Sequence, residues 1–200
     1  MEDKQSASLE RRSAVATLLQ DIDDNTLLVA SVGTPTLDVA AARERPQNFY
    51  VRGAMGTASS VALGLALAQG EKRVIAVLGD AELLMTAGTL ATIAVMAPEN
   101  LSLVVIDNER YGETGLQIAA TAFGVDIAGM AAAAGLSPTA VIRTEADLHG
   151  ALDAIRMGPG PSLHVIKVRP EKPEKVPLPY DGVYLKNRFR RALFGDEGIT

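Results

Sequence analysis

Two hundred residues, 48% of them apolar, suffice to bury one substantial core and argue for one large domain rather than two complete ones. The 19 lysines and arginines are outnumbered by 24 aspartates and glutamates, a balance that argues against a broad basic surface for nucleic acid. With no cysteine, the chain excludes disulfides, thiolate zinc sites and thiol nucleophiles, in keeping with a reducing compartment. Its first residues, Met1-Glu2-Asp3-Lys4, are charged and precede no apolar stretch of signal-peptide or membrane-span length, so a cytoplasmic location and no membrane association are expected.

Ser8 is placed to cap a helix over about 9–20, with Glu10 near its positive end and Val15, Leu18 and Leu19 along an apolar side. That phase puts Arg11 and Arg12 on the solvated side. The run 27–30 reads as a short buried strand ending at Gly33-Thr34-Pro35-Thr36, a turn that opens another helix. A second apolar run, Phe49-Tyr50-Val51, leads into Gly53-Ala54-Met55-Gly56 and a helix over 59–68 built of small residues, which suits a crowded interior or an interface. Next come a strand over 74–78 ending in Gly79-Asp80, a helix from about 82 to 96, and a strand over 101–106 ending in Asp107-Asn108. Their unbroken apolar runs suit central parallel strands covered on both faces. An alanine-rich helix over about 126–134 follows, then strands at 140–142 and 163–166 flanking a helix that Thr144 caps. The alternation predicts a doubly wound, mainly parallel α/β sheet with helices on both faces. From Pro170 to Pro179 the composition turns to proline, glutamate and lysine, and a short basic amphipathic helix follows over 184–194. The expected division is therefore a domain over 1–169 and a connector with a helical tail over 170–200, suited either to clasping a neighbouring subunit or to lying solvated.

In an open parallel sheet, ligands collect outside the carboxyl ends of the strands. Two such ends carry oxygen donors, Asp80 and Asn108, and a right-handed crossover between the strands brings both to one edge, where they can share a hard cation such as Mg²⁺. Taken singly, Asp80 reads more simply as a helix cap and Asn108 as a turn residue. No Walker lysine loop and no Gly-x-Gly-x-x-Gly after a strand is present to suggest another nucleotide site. His149 falls on a helix surface and His164 inside a strand, so both read as structural.

Gly79-Asp80-Ala81-Glu82, followed after 26 further residues beyond Ala81 by Asn108, resembles the Gly-Asp-Gly…Asn signature of thiamine-diphosphate enzymes. Gly53-Ala54-Met55-Gly56 looks like that family's segment beneath the aminopyrimidine ring, and 107–115 looks like its metal and diphosphate loop. Together with Gly33-Thr34-Pro35-Thr36 and Phe49-Tyr50, the motifs are most similar to sulfopyruvate decarboxylase β subunits and to the equivalent C-terminal domain of phosphonopyruvate decarboxylases, over roughly residues 25 to 170.

The resemblance implies thiamine diphosphate and Mg as cofactors. Asp80 and Asn108 would ligate the metal through side chains and Arg110 through its carbonyl. Amides around Gly79, Ala81 and Glu82 would bind diphosphate, helped by Gly33 and Thr34. Gly53, Ala54 and Met55 would sit against the ring, with Met55 as the wedge that keeps the cofactor bent; the bland role for Met55 is a flexible core filler. Tyr111, Gly112, Glu113 and Thr114 would line the site. The family's usual second glycine is Ala81 here, whose methyl either crowds the backbone's approach to diphosphate or is harmless at a negative φ, and this departure raises a noncatalytic, scaffold-type binder as an alternative. In the family, a glutamate on a separate pyrimidine-binding domain activates the cofactor toward a 2-oxo acid, which loses CO₂ to give an aldehyde. Nothing in this chain resembles that domain. The implied protein is thus a carboxy-lyase subunit with no catalytic side chain of its own, paired with an α subunit, in an α₂β₂ assembly, acting on a small anionic 2-oxo acid; a carboligase subunit is the neighbouring alternative.

Overall fold

The computed structural model describes residues 9–172 and 175–199. Six parallel strands form the main sheet in the order β2-β1-β3-β4-β8-β7: β1 (Thr26–Ala30), β2 (Asn48–Tyr50), β3 (Arg73–Gly79), β4 (Leu101–Asp107), β7 (Thr139–Ile142) and β8 (Ser162–Lys167). A small antiparallel hairpin of β5 (Arg110–Tyr111) and β6 (Gln117–Ile118) follows β4. The helices are α1 (Arg11–Leu19), α2 (Thr34–Arg43), α3 (Ala58–Ala68), α4 (Asp80–Met85), α5 (Thr89–Met96), α6 (Ile127–Ala134), α7 (Glu145–Arg156) and α8 (Gly182–Phe194).

Successive side chains of a strand face opposite ways, and the central strands bury both sets. Leu27, Val29, Ala76, Leu103 and Val105 point into one core with Ala62, Leu83, Ile93 and Ala131 of α3 to α6. Leu28, Ala30, Ile75, Val104 and Ile106 point into the other with Leu18, Val39 and Ile155 of α1, α2 and α7. This is the expected doubly wound α/β sheet. After β2 the chain passes back across β1 to form β3, so the sheet reverses its winding between β1 and β3 and opens a crevice outside their carboxyl ends.

Several local expectations change. Ser8 lies outside the described residues, and Glu10 caps α1, its carboxylate accepting from the amides of Arg12 at 2.9 Å and Ser13 at 2.5 Å. Arg11 is not solvated: it is 2% exposed, its guanidinium pairs with the buried Asp38 of α2 and donates to the Glu171 carbonyl at 2.9 Å. The packing of α1 on α2, with the connector carbonyl passing over the first turn, covers Arg11. Arg12 remains partly exposed, its Nε 3.4 Å from Asp38 Oδ1. Burial pushes the Asp38 carboxyl up, and the Arg11 guanidinium opposes that rise.

The single helix expected over 82–96 is two, α4 and α5, parted at Thr86-Ala87-Gly88. Thr86 leaves helical geometry at φ −131° and its hydroxyl donates to the Gly56 carbonyl, a tertiary bond that competes with helix continuation. Thr144 caps α7 as expected, in a reciprocal pair with Asp147. α8 packs along the β2 edge rather than standing solvated. The Phe189 ring meets Phe49 edge-on at 5.3 Å, Leu185 enters the second core, and Arg188 pairs with Glu44 and donates to the Asn48 carbonyl at 3.2 Å. Covering an edge strand in this way removes a template for unwanted pairing. Among the described residues, no helix is long and apolar enough to cross a membrane.

Candidate functional site

The chain arrives at the carboxyl edge of the sheet from β1, β3 and β4, and the three exits frame one cleft with about 540 Å³ of unfilled space open to solvent. Gly33 and Thr34 line it from the first exit, and Gly79, Asp80, Ala81 and Glu82 from the second. Asn108, Arg110, Tyr111, Gly112, Glu113 and Thr114 line it from the third, and Met55 reaches in from the turn before α3. Gly53 and Ala54 are exposed in that turn and do not line the cleft. Neither His149, exposed on α7, nor His164, buried in β8, belongs to it.

Asp80 starts α4 directly at the end of β3 and is 2% exposed. Thr121, in the short 3-10 turn after the hairpin, donates its hydroxyl to Asp80 Oδ2 at 2.6 Å. Burial pushes the Asp80 carboxyl up to about 6; the Thr121 hydroxyl resists the rise and the Asp107 carboxylate adds to it. Asp107 is neutralised by Lys167, whose Nζ lies 2.9 Å from its Oδ2 and 2.5 Å from Glu109 Oε1. Asp80, in contrast, has no lysine or arginine pairing with it among the described residues. A buried carboxylate without a cation is costly, and an amide oxygen in the same cleft is a fitting second donor for a hard ion. Asn108 is that neighbour, 4% exposed, its Oδ1 held by the Arg110 amide at 3.0 Å. The donor set therefore fits Mg²⁺.

Close approach shapes the rest of the cleft. Gly33 adopts φ +90°, which glycine tolerates, and it leads into α2 with Pro35 in the first turn. Gly112 lies so near the same turn that a Cβ there would come 2.9 Å from Thr34 Cγ2. Met55 is 38% exposed, so it is no core filler. Ala81 lies within α4 in right-handed helical backbone, where its methyl carries no conformational penalty. The Gly79 amide is already engaged, donating to Ser31 Oγ at 3.2 Å, so it is less free for a ligand than expected. Glu82 contributes more than an amide: its Oε1 accepts from the amides of Gly56 and Ala58, each at 3.1 Å. Thr114 is occupied within the hairpin loop, donating to Gln117 Oε1 at 2.8 Å.

Ser31, Thr121 and Lys167 were not foreseen as site residues. Ser31 stands one residue past a strand end and so carried a positional signal. Thr121 had none, because the chain approaches Asp80 from 41 residues away.

Residues 31–166 match the family model described as thiamine pyrophosphate enzyme, C-terminal TPP binding domain. A sulfopyruvate decarboxylase subunit beta of Methanothermobacter thermautotrophicus is 34% identical over 187 residues, covering 94% of this chain and 97% of that one. A sulfopyruvate decarboxylase of Methanosarcina acetivorans is 35% identical over 92% of this chain, which spans only 47% of that relative. Among solved structures, benzoylformate decarboxylase from Polynucleobacter necessarius superposes with a TM-score of 0.70 at 19% identity, over 88% of this chain and 36% of that one. The fold, the cleft and these likenesses agree, and the chain belongs to the thiamine pyrophosphate enzyme family, as a C-terminal TPP binding domain.

Proposed function

We propose that this chain is the β-type subunit of a thiamine-diphosphate-dependent decarboxylase acting on a small anionic 2-oxo acid such as sulfopyruvate or phosphonopyruvate. The observation that carries the reading is the buried Asp80, without a basic partner among the described residues, in one cleft with Asn108. The Asp80 and Asn108 side chains and the Arg110 carbonyl would hold Mg²⁺, which would neutralise charge on the diphosphate. The amides of Ala81 and Glu82, framed by Gly79, take the diphosphate, and Gly33 and Thr34 approach it from the neighbouring turn. Met55, in the turn that begins at Gly53 and Ala54, would support the cofactor ring, and Tyr111, Gly112, Glu113 and Thr114 would border it. When bound, thiamine diphosphate supplies the electron sink that allows a 2-oxo acid to lose CO₂. Thr121 fixes the Asp80 carboxylate for the metal, and the Asp107–Lys167 pair holds the loop that presents Asn108.

The activating glutamate comes from a separate pyrimidine-binding α subunit, in an α₂β₂ assembly whose active sites lie at the subunit interface. Support comes from names: relatives 37%, 34% and 33% identical to this chain are each named as a sulfopyruvate decarboxylase subunit beta. A cytoplasmic location fits this chemistry. The test is CO₂ release from a panel of 2-oxo acids by the chain mixed with its α partner. Turnover that needs both chains and prefers a sulfonate- or phosphonate-bearing acid supports the reading; cofactor binding with no turnover on any acid contradicts it.

A further inference from the structure

We propose that Glu82 is a positioning residue that fastens the Met55 turn to the helix opening at Asp80, so that the wedge and the diphosphate seat form one rigid unit. The inference rests on the cofactor reading above and adds a side-chain role to a residue otherwise valued for its amide. Glu82 is 2% exposed, and one carboxylate oxygen accepts from both Gly56 and Ala58 amides at 3.1 Å. Four residues further along the same chain segment, the Thr86 hydroxyl donates to the Gly56 carbonyl. Both backbone polar groups of Gly56 are therefore taken by side chains from α4 and its C-cap, across 26 and 30 residues of sequence.

The fit at Gly56 is tight as well as polar. It adopts φ +91°, and a Cβ there would stand 3.1 Å from Thr86 Cγ2 and 3.2 Å from Met85 Cβ. The other Glu82 oxygen, Oε2, is buried with no hydrogen-bond partner among the described residues. A buried carboxylate half-satisfied in this manner is a costly way merely to cap α3, whose first turn a serine or aspartate at the cap position would serve. Reaching from the diphosphate helix to the wedge turn, it sets the distance between the two ends of the cofactor seat.

The test separates the two ends of the cofactor with two probes, Mg²⁺-pyrophosphate and Mg²⁺-thiamine diphosphate, titrated calorimetrically into the full chain together with its α partner. Glu82→Ala is expected to weaken thiamine diphosphate about 10-fold or more while pyrophosphate changes by less than about 3-fold. Glu82→Gln keeps an oxygen acceptor for both amides and is expected to restore most of the loss. Thr86→Val, which removes only the second clasp, is expected to act in the same direction as Glu82→Ala. Hydrogen exchange supplies a ligand-free readout: Gly56 and Ala58 amides exchange about 10-fold faster in Glu82→Ala, with unchanged protection in β3 and β4. Equal losses for both probes, no loss for either, or unchanged exchange at Gly56 overturns the positioning role. Wild-type protein that binds neither probe overturns the cofactor reading itself, and the positioning role with it.

Discussion

Asp80 illustrates how a single residue trades stability for chemistry. Its carboxylate is buried, its pKa is raised to about 6 chiefly by loss of water, and no basic side chain among the described residues repays that cost. Asp80→Asn is accordingly expected to stabilise the metal-free protein by about 1 kcal/mol, read as a raised unfolding temperature, and to remove the further rise that Mg²⁺ with cofactor produces. Asp80→Ala is expected to weaken Mg²⁺-dependent cofactor binding by at least about 100-fold, and Thr121→Val, which frees the carboxylate to rotate, by about 10-fold. Calorimetry distinguishes the two, and equal affinities in wild type and Thr121→Val contradict the orienting role. Asp80 and Asn108 were legible because strand ends are few and oxygen donors there are conspicuous. Thr121 was not, since nothing local marks a threonine whose partner is brought to it by the fold. The role of the Glu82 side chain is not legible for a similar reason: its carboxylate answers to a turn 26 residues away.

At the scale of the element, apolar periodicity located nearly every strand and helix, and failed where tertiary contacts override it. The 82–96 stretch is helical by composition, yet Thr86 spends its hydroxyl on Gly56 and the helix restarts at Thr89. Arg11 falls on the polar side of α1 by phase, but that side meets Asp38 instead of water. Breaking this buried pair by Arg11→Ala is expected to cost up to about 3–5 kcal/mol, because the buried Asp38 then keeps only the longer contact from Arg12 at 3.4 Å. The double replacement Arg11→Met with Asp38→Leu is expected to recover most of that loss. Urea unfolding midpoints measure both, and a mild effect of Arg11→Ala contradicts the burial argument. α8 was legible as an amphipathic helix, but which surface receives its apolar stripe depends on where β2 ends up in the sheet.

For the molecule as a whole, alternating strands and helices were enough to indicate a doubly wound sheet, while the insertion of β8 between β4 and β7 is a property of long-range pairing that no local pattern reports. The same burial that makes β8 central also enforces a pH dependence. His164 is 2% exposed without a hydrogen-bond partner among the described residues, and burial, aided by the Arg73 charge, pushes its pKa down to about 4. The unfolded chain therefore takes up a proton near pH 6.5 that the folded chain refuses until about 4. Stability from this group is complete above about 6.5 and falls through that window as pH drops, by up to about 3 kcal/mol. Wild type minus His164→Val, followed by urea unfolding from pH 7 to pH 4, is expected to show that slope; a flat difference contradicts it.

In the proposed function, Asp80 and Asn108 hold one divalent ion against the diphosphate of thiamine diphosphate. Crystals of the chain with its α partner, grown with thiamine diphosphate and Mn²⁺ in place of Mg²⁺, report this directly by anomalous scattering. A single peak within ligand distance of both side-chain oxygens and the Arg110 carbonyl is expected. A peak elsewhere, or a bound cofactor whose diphosphate touches neither Asp80 nor Asn108, contradicts it.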